Sequence, residues 1–126
     1  MGKKIKISTS NLEMEAELND SNTAGTIWEV LPIEREANRW GEEIYFSIPV
    51  KLEEENAKEI VEEGDLGYWP SGSGFCIFFG PTPVSKPGEI RPASPVNVFG
   101  KVLGDAKKFS QVKDGEKIKI ERVEEK

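Results

Sequence analysis

Val98-Phe99-Gly100-Lys101-Val102 is the stretch on which the reading of this chain turns. The run belongs to a strand predicted over 96–102. Leu103-Gly104 follows, and then the segment Asp105 to Val112, where a short helix is expected near 105–111. After it, the alternation Lys117-Ile118-Lys119-Ile120 predicts a closing strand over 117–123.

Working back toward the N-terminus, short strands predominate. Ile5 and Ile7 share one face of a strand over 3–8. Leu12, Met14, Ala16 and Leu18 alternate with Glu13, Glu15, Glu17 and Asn19, which gives a second, half-buried strand, with Ser10-Asn11 as the hairpin turn. Asp20-Ser21 supplies an N-cap, Ile27, Val30 and Leu31 recur at helical spacing, and Pro32 ends a helix over 21–31. Strands are then expected at 34–40 and 43–47 around Gly41. The Glu-rich stretch 49–64 reads as a surface excursion with a helical turn near 55–60. Leu66–Trp69 and Phe75–Phe79 read as a strand pair around Pro70-Ser71-Gly72-Ser73-Gly74. Five prolines between Gly80 and Pro95 exclude a regular central strand and predict a long ordered loop. Many short strands with one helix early and one late indicate a mainly β fold, a closed β-barrel with one or two short capping helices.

With 126 residues, the chain is expected to form a single domain over 1–126. Its 17 basic and 23 acidic residues leave a net charge of −6, which argues against nucleic acid as a partner. The acidic runs Glu53-Glu54-Glu55, Glu62-Glu63 and Glu124-Glu125 read as solvated surface. No signal-like or membrane-length apolar segment is found, and a single thiol, Cys76, fits a cytoplasmic protein with no membrane partner. The absence of histidine, the single glutamine and the Glu/Lys richness point to a thermophilic source.

The strand Val98–Val102, the short helix and the closing strand resemble the C-terminal part of cyclophilins. Trp40 to Phe46, Gly64 to Pro70 and Phe78 to Pro83 look more like a smaller prokaryotic group, the cyclophilin-like proteins of unknown function, and that resemblance spans nearly the whole chain. It implies a cyclophilin-like barrel with a ligand groove. Laid on the cyclophilin strand without gaps, Val96 stands where cyclophilins place a groove histidine, and Arg91 where they often place a tryptophan. Gly72 to Ile77 resembles their G-S-Q-F-F-I run, with Gly74 for the glutamine and Cys76 for the second phenylalanine. Their main catalytic arginine lies after the first helix, a region in which this chain has both Arg35 and Arg39. By the resemblance Cys76 and Phe78 face the groove, and Phe75, Ile77 and Phe79 fill the barrel.

Other chemistry finds little support. One cysteine and no histidine exclude Ser-His and Cys-His catalysis within the chain and leave no metal cluster or cofactor motif. Ser71-Gly72-Ser73-Gly74 lies between strands and reads as a hairpin loop rather than a phosphate cradle. The aromatic and charged residues of the two resembling segments give the candidate groove: Arg35 or Arg39, Glu43, Tyr45, Tyr68, Trp69, Cys76, Phe78 and Arg91. Tyr68 and Trp69 are adjacent, so they point to opposite faces and at least one lies outside the core. The expected function is binding of a peptide or small molecule in an aromatic-lined groove. The alternatives are a peptidyl-prolyl isomerase with a degenerate site, and a hydrolase or lyase using Glu42 or Glu43 as base.

Overall fold

The computed structural model of the chain describes residues 3–123, so the acidic residues Glu124 and Glu125 lie outside the described residues. Strands β1 (Lys4–Ser8) and β2 (Glu13–Leu18) form the expected hairpin, pairing Lys4 with Glu17 through Ser8 with Glu13. Helix α1 (Asn22–Glu29) starts at Ser21, whose hydroxyl accepts from the Ala24 N–H. The Glu55 carboxylate accepts from the next two backbone donors, Asn22 and Thr23, and from the Thr23 hydroxyl, so the free N–H groups of the first turn are met from a distant loop.

The stretch expected as one strand over 34–40 is two. Strand β3 (Ile33–Glu36) pairs with β9 (Lys117–Val123), and β4 (Asn38–Arg39) pairs with β5 (Glu43–Ser47). Only Ala37 separates them, yet they sit at opposite ends of the sheet. With β6 (Asp65–Trp69), β7 (Gly74–Phe78) and β8 (Asn97–Val102), the order is β3-β9-β1-β2-β8-β6-β7-β5-β4. The chain therefore passes from one edge to the other at Ala37, and the sheet curls into a nearly closed barrel. Buried Ala37 donates its N–H to the Glu116 carbonyl and accepts from the Gly115 N–H, which anchors the crossing to the turn before β9.

Period-two alternation carries the core. Ile5, Ile7, Met14, Ala16, Leu18, Ile44, Phe46, Ile118 and Ile120 point inward from their strands. Phe46 and Phe75 stack at 5.0 Å between ring centroids, and Phe99 meets Phe75 edge-on at 5.1 Å. In β8 the alternation is broken by a bulge: Leu66 faces Gly100 but Gly67 faces Val98. The extra residue resets the phase, so Phe99 and Val102, three apart, both reach the core. A Cβ at Gly100 would lie 2.7 Å from the Glu17 carbonyl oxygen, which explains the glycine within this strand.

The segment after β8 is the 3-10 helix Ala106–Gln111, capped by Asp105, with Phe109 buried on the barrel. The expected helical turn near 55–60 is absent. There the backbone bends at 55–56 and again at 59–60, with Asn56 in the left-handed region at φ 50°, and Lys58 and Val61 bridge to Val96 and Ile90. Asn97, buried, holds this excursion down: its amide donates to the Glu53 carbonyl and accepts from the Glu55 N–H. The loop between β7 and β8 has no regular strand. Ser85 orders it by accepting from the Thr82 and Arg91 N–H groups, while Glu89 accepts from Lys86. Among the described residues no helix is long and apolar enough to cross a membrane.

The bulge makes a test of the fold. Gly100→Ala drives a methyl into a backbone oxygen that cannot rotate away, and the expected loss is about 2 kcal/mol, in the range of overpacked cores. Urea denaturation of the variant against the parent measures it, and a loss below a few tenths would show that β2 and β8 can separate freely at this point.

Candidate functional site

The outer face of β5, β7 and β6 carries a cleft of about 270 Å³ lined by Trp40, Glu43, Tyr45, Trp69, Cys76 and the loop residues 92–94 and 96. Alternation explains its composition. In β5, Ile44 and Phe46 enter the barrel, so Glu43 and Tyr45 face out; in β7, Phe75 and Ile77 enter, so Cys76 and Phe78 face out. Of the outward residues, Tyr45, Cys76 and Phe78 gather with Val61 and Val96 into a second apolar cluster. Gly67 on β6 makes room for this layer, since a Cβ there would lie 2.7 Å from a Val96 methyl. The Trp69 ring covers Gly72 of the glycine-rich loop, and its indole N–H donates to the Ser94 hydroxyl at 2.6 Å. That loop seats an aromatic wall.

Glu43 is the polar centre of the cleft. Only 5 % of it is exposed, and its Oε1 has no hydrogen-bond partner. Burial pushes the carboxyl up to about 7, and the hydrogen-bonding Cys76 thiol offsets this only in part. The thiol is raised in turn, first by its own burial and then by the charge of Glu43. Cys76 therefore stays protonated and is not a nucleophile.

The remaining sequence-derived groove residues divide. Glu43, Tyr45, Trp69 and Cys76 line one cleft, and Phe78 lies beneath it in the second cluster. Tyr68 does not belong there. It is fully buried inside the barrel, where its hydroxyl donates to the Val50 carbonyl and accepts from the Leu52 N–H. Neither arginine after the helix reaches the cleft. Arg35 donates to the Ser47 and Glu34 carbonyls. Arg39 stacks on Phe79 at 5.1 Å and donates to the carbonyls of Gly41, Ser110 and Val112. Arg35 thus joins β3 to the end of β5, and Arg39 joins β4 to the 3-10 helix. Arg91 is held by Glu89 at 2.8 Å, next to the cleft residue Pro92 but not lining the cleft. Sequence reasoning did not assign Trp40, Pro92, Ala93 or Ser94 to the groove. The adjacency of Trp40 to the Glu43–Tyr45 strand was the available signal; nothing local marked the loop residues.

A larger hollow of about 520 Å³ lies beside the start of α1, between Lys3, Asn19 and Ser21. Two of its polar side chains are already engaged with each other and the backbone: Asn19 Oδ1 accepts from both the N–H and hydroxyl of Ser21, and Asn19 Nδ2 donates to the Val98 carbonyl. Among the described residues no group of three His, Cys, Asp or Glu side chains gathers to hold a metal ion.

The family model described as Cyclophilin-like matches residues 3–121. The chain belongs to the cyclophilin-like family. A hypothetical protein of Archaeoglobus fulgidus, determined in solution, is 41% identical and superposes with a TM-score of 0.81, covering 97% of this chain and 95% of that one. No curated protein matches. The family and this neighbour establish the fold.

The cleft carboxyl predicts a pH dependence of stability. Glu43 gains its proton near pH 7 in the folded chain and near the ordinary carboxyl value of 4.5 when unfolded. The folded state thus holds more protons between these values, and stability falls as pH rises through the interval, by about 3 kcal/mol for a shift of this size. Glu43→Gln removes the effect. Thermal melts at pH 5 and pH 8 should show the variant gaining on the parent at pH 8; an equal difference at both would mean that the folded carboxyl ionises normally.

Proposed function

We propose that this cyclophilin-like chain is a binding protein that takes a small molecule, or one side chain of a peptide, in the cleft outside its barrel. The observation that carries this reading is the pairing of three half-buried rings, Trp40, Tyr45 and Trp69, with a single buried carboxyl that lacks a partner at one oxygen. Ligand sites combine mostly apolar walls with a few polar groups that fix orientation, and an unpaired buried oxygen is costly until something donates to it. A ligand with an apolar body and one donor group meets both requirements.

Binding without isomerisation is the reading we favour. A prolyl isomerase needs a donor near the proline amide, and both arginines of the expected region are spent on backbone carbonyls. Val96, in the place of the groove histidine, contributes only methyl groups to the cleft.

Two measurements test this. A coupled assay on an X-Pro peptide should return the background rate, and turnover near that of an active cyclophilin would overturn the reading. Trp69→Ala should cost about 1 kcal/mol, less than a core aromatic, because the ring is half-buried. The same variant should lose the shifts that small amine and amide fragments induce at the cleft in NMR spectra. A collapse of the melting temperature, with fragment binding intact, would assign Trp69 to the core instead.

A further inference from the structure

We infer that the ligand of this cleft is a small organic cation, specifically one presenting a methylated ammonium group to the rings and the Glu43 carboxyl. The inference rests on the binding reading above and adds the charge and chemical class of the occupant.

The lining is the first argument. Trp40, Tyr45 and Trp69 are all lining residues, and electron-rich rings of this kind attract a cation through the ring quadrupole. Methylated ammonium ions suit such surroundings because their methyls are apolar while their charge is retained. A neutral ligand would use only the apolar half of this lining.

The second argument is charge complementarity. None of the lining residues is basic, and Glu43 is the one carboxylate among them. Its nearest titratable neighbour is the Cys76 thiol, which is protonated and so supplies no positive charge. The basic residue next in sequence to the cleft, Arg91, is already matched by Glu89. The cleft thus holds an acid without a counter-ion.

The third argument is how the chain uses its own cations. Among the described residues, cation–ring contacts occur at Lys3 and Arg122 on Trp28 and at Arg39 on Phe79. None involves Trp40, Tyr45 or Trp69. Of the half-buried rings, Trp28 carries cations of the chain's own, while the three beside the carboxyl carry none.

Size completes the case. About 270 Å³ gives room for a trimethylammonium head with a short tail. Burial of Glu43 to 5 % exposure means that a bound cation is screened weakly by solvent, which strengthens its attraction to the carboxylate.

The test uses a cation and its uncharged carbon isostere, choline and 3,3-dimethylbutan-1-ol. Each is titrated into the ¹⁵N-labelled parent, Glu43→Gln and Trp69→Ala proteins, following the Trp40 and Trp69 indole N–H signals and the Cys76 amide. Choline should bind the parent at least about tenfold more tightly than the isostere, the preference expected of a desolvated cation–ring site with a carboxylate. Glu43→Gln should abolish the preference for choline over the isostere, and Trp69→Ala should weaken both. Equal affinities in the parent, or a choline preference that survives Glu43→Gln, would overturn the cation inference and leave the binding cleft standing. No shift at these signals with either compound would overturn the binding reading as well. Circular dichroism melts of both variants confirm that a lost signal is not lost folding.

Discussion

Ala37 separates two strands that lie at opposite edges of one sheet, and the barrel depends on that handover. A sheet with two free edges must cover or join them. Here one residue carries the chain across, and its N–H and carbonyl are both bonded to the turn before β9. The arginines on either side complete the seam. Arg35 reaches from β3 to the Ser47 carbonyl at the end of β5, and Arg39 ties β4 to the carbonyls of Ser110 and Val112 around the 3-10 helix. A planar fork with several donors suits this task better than a lysine would. The two residues that resembled catalytic arginines by position are thus committed to closing the barrel.

How far the sequence could be read follows from what physical signal each feature leaves. Strand alternation is local and strong, so β1, β2, β7 and β9 were legible, as was the division of Phe75, Cys76, Ile77 and Phe78 between the two faces. The adjacency of Tyr68 and Trp69 correctly required opposite faces, but local pattern cannot say which is inside. The Tyr68 hydroxyl decided that by meeting two backbone groups of residues 50 and 52, a contact sixteen or more positions away. The break at Ala37 left no trace in hydrophobicity, because both halves are strand-like. The loop side of the cleft was illegible for the same reason: Pro92 to Ser94 reach it through hydrogen bonds of Thr82, Ser85 and Trp69, not through any periodicity.

Inside the cleft, Glu43 and Cys76 govern each other. The buried carboxylate raises the thiol, and the thiol proton is one of the few partners the carboxylate has. The thiol therefore keeps its proton, while the carboxyl, at about 7, ionises when a donor or a positive charge meets it. This suits recognition better than nucleophilic attack at the thiol. A neighbouring positive charge would reverse the balance at the carboxyl.

Strand β7 is buried along its whole length, with the barrel core on one face and the outer cluster on the other. The same strand thus serves as wall for two interiors. A substitution at Cys76 or Phe78 disturbs the support of the cleft and the ladder at once, whereas residues 92–94 lie in a loop outside the ladder, between the isolated bridges at Ile90 and Val96. The pocket consequently has a conservative half and a permissive half. Descendants of this chain could acquire new ligands by rewriting the loop, at little risk to folding, while the strand half would hold the chemistry of its floor nearly constant.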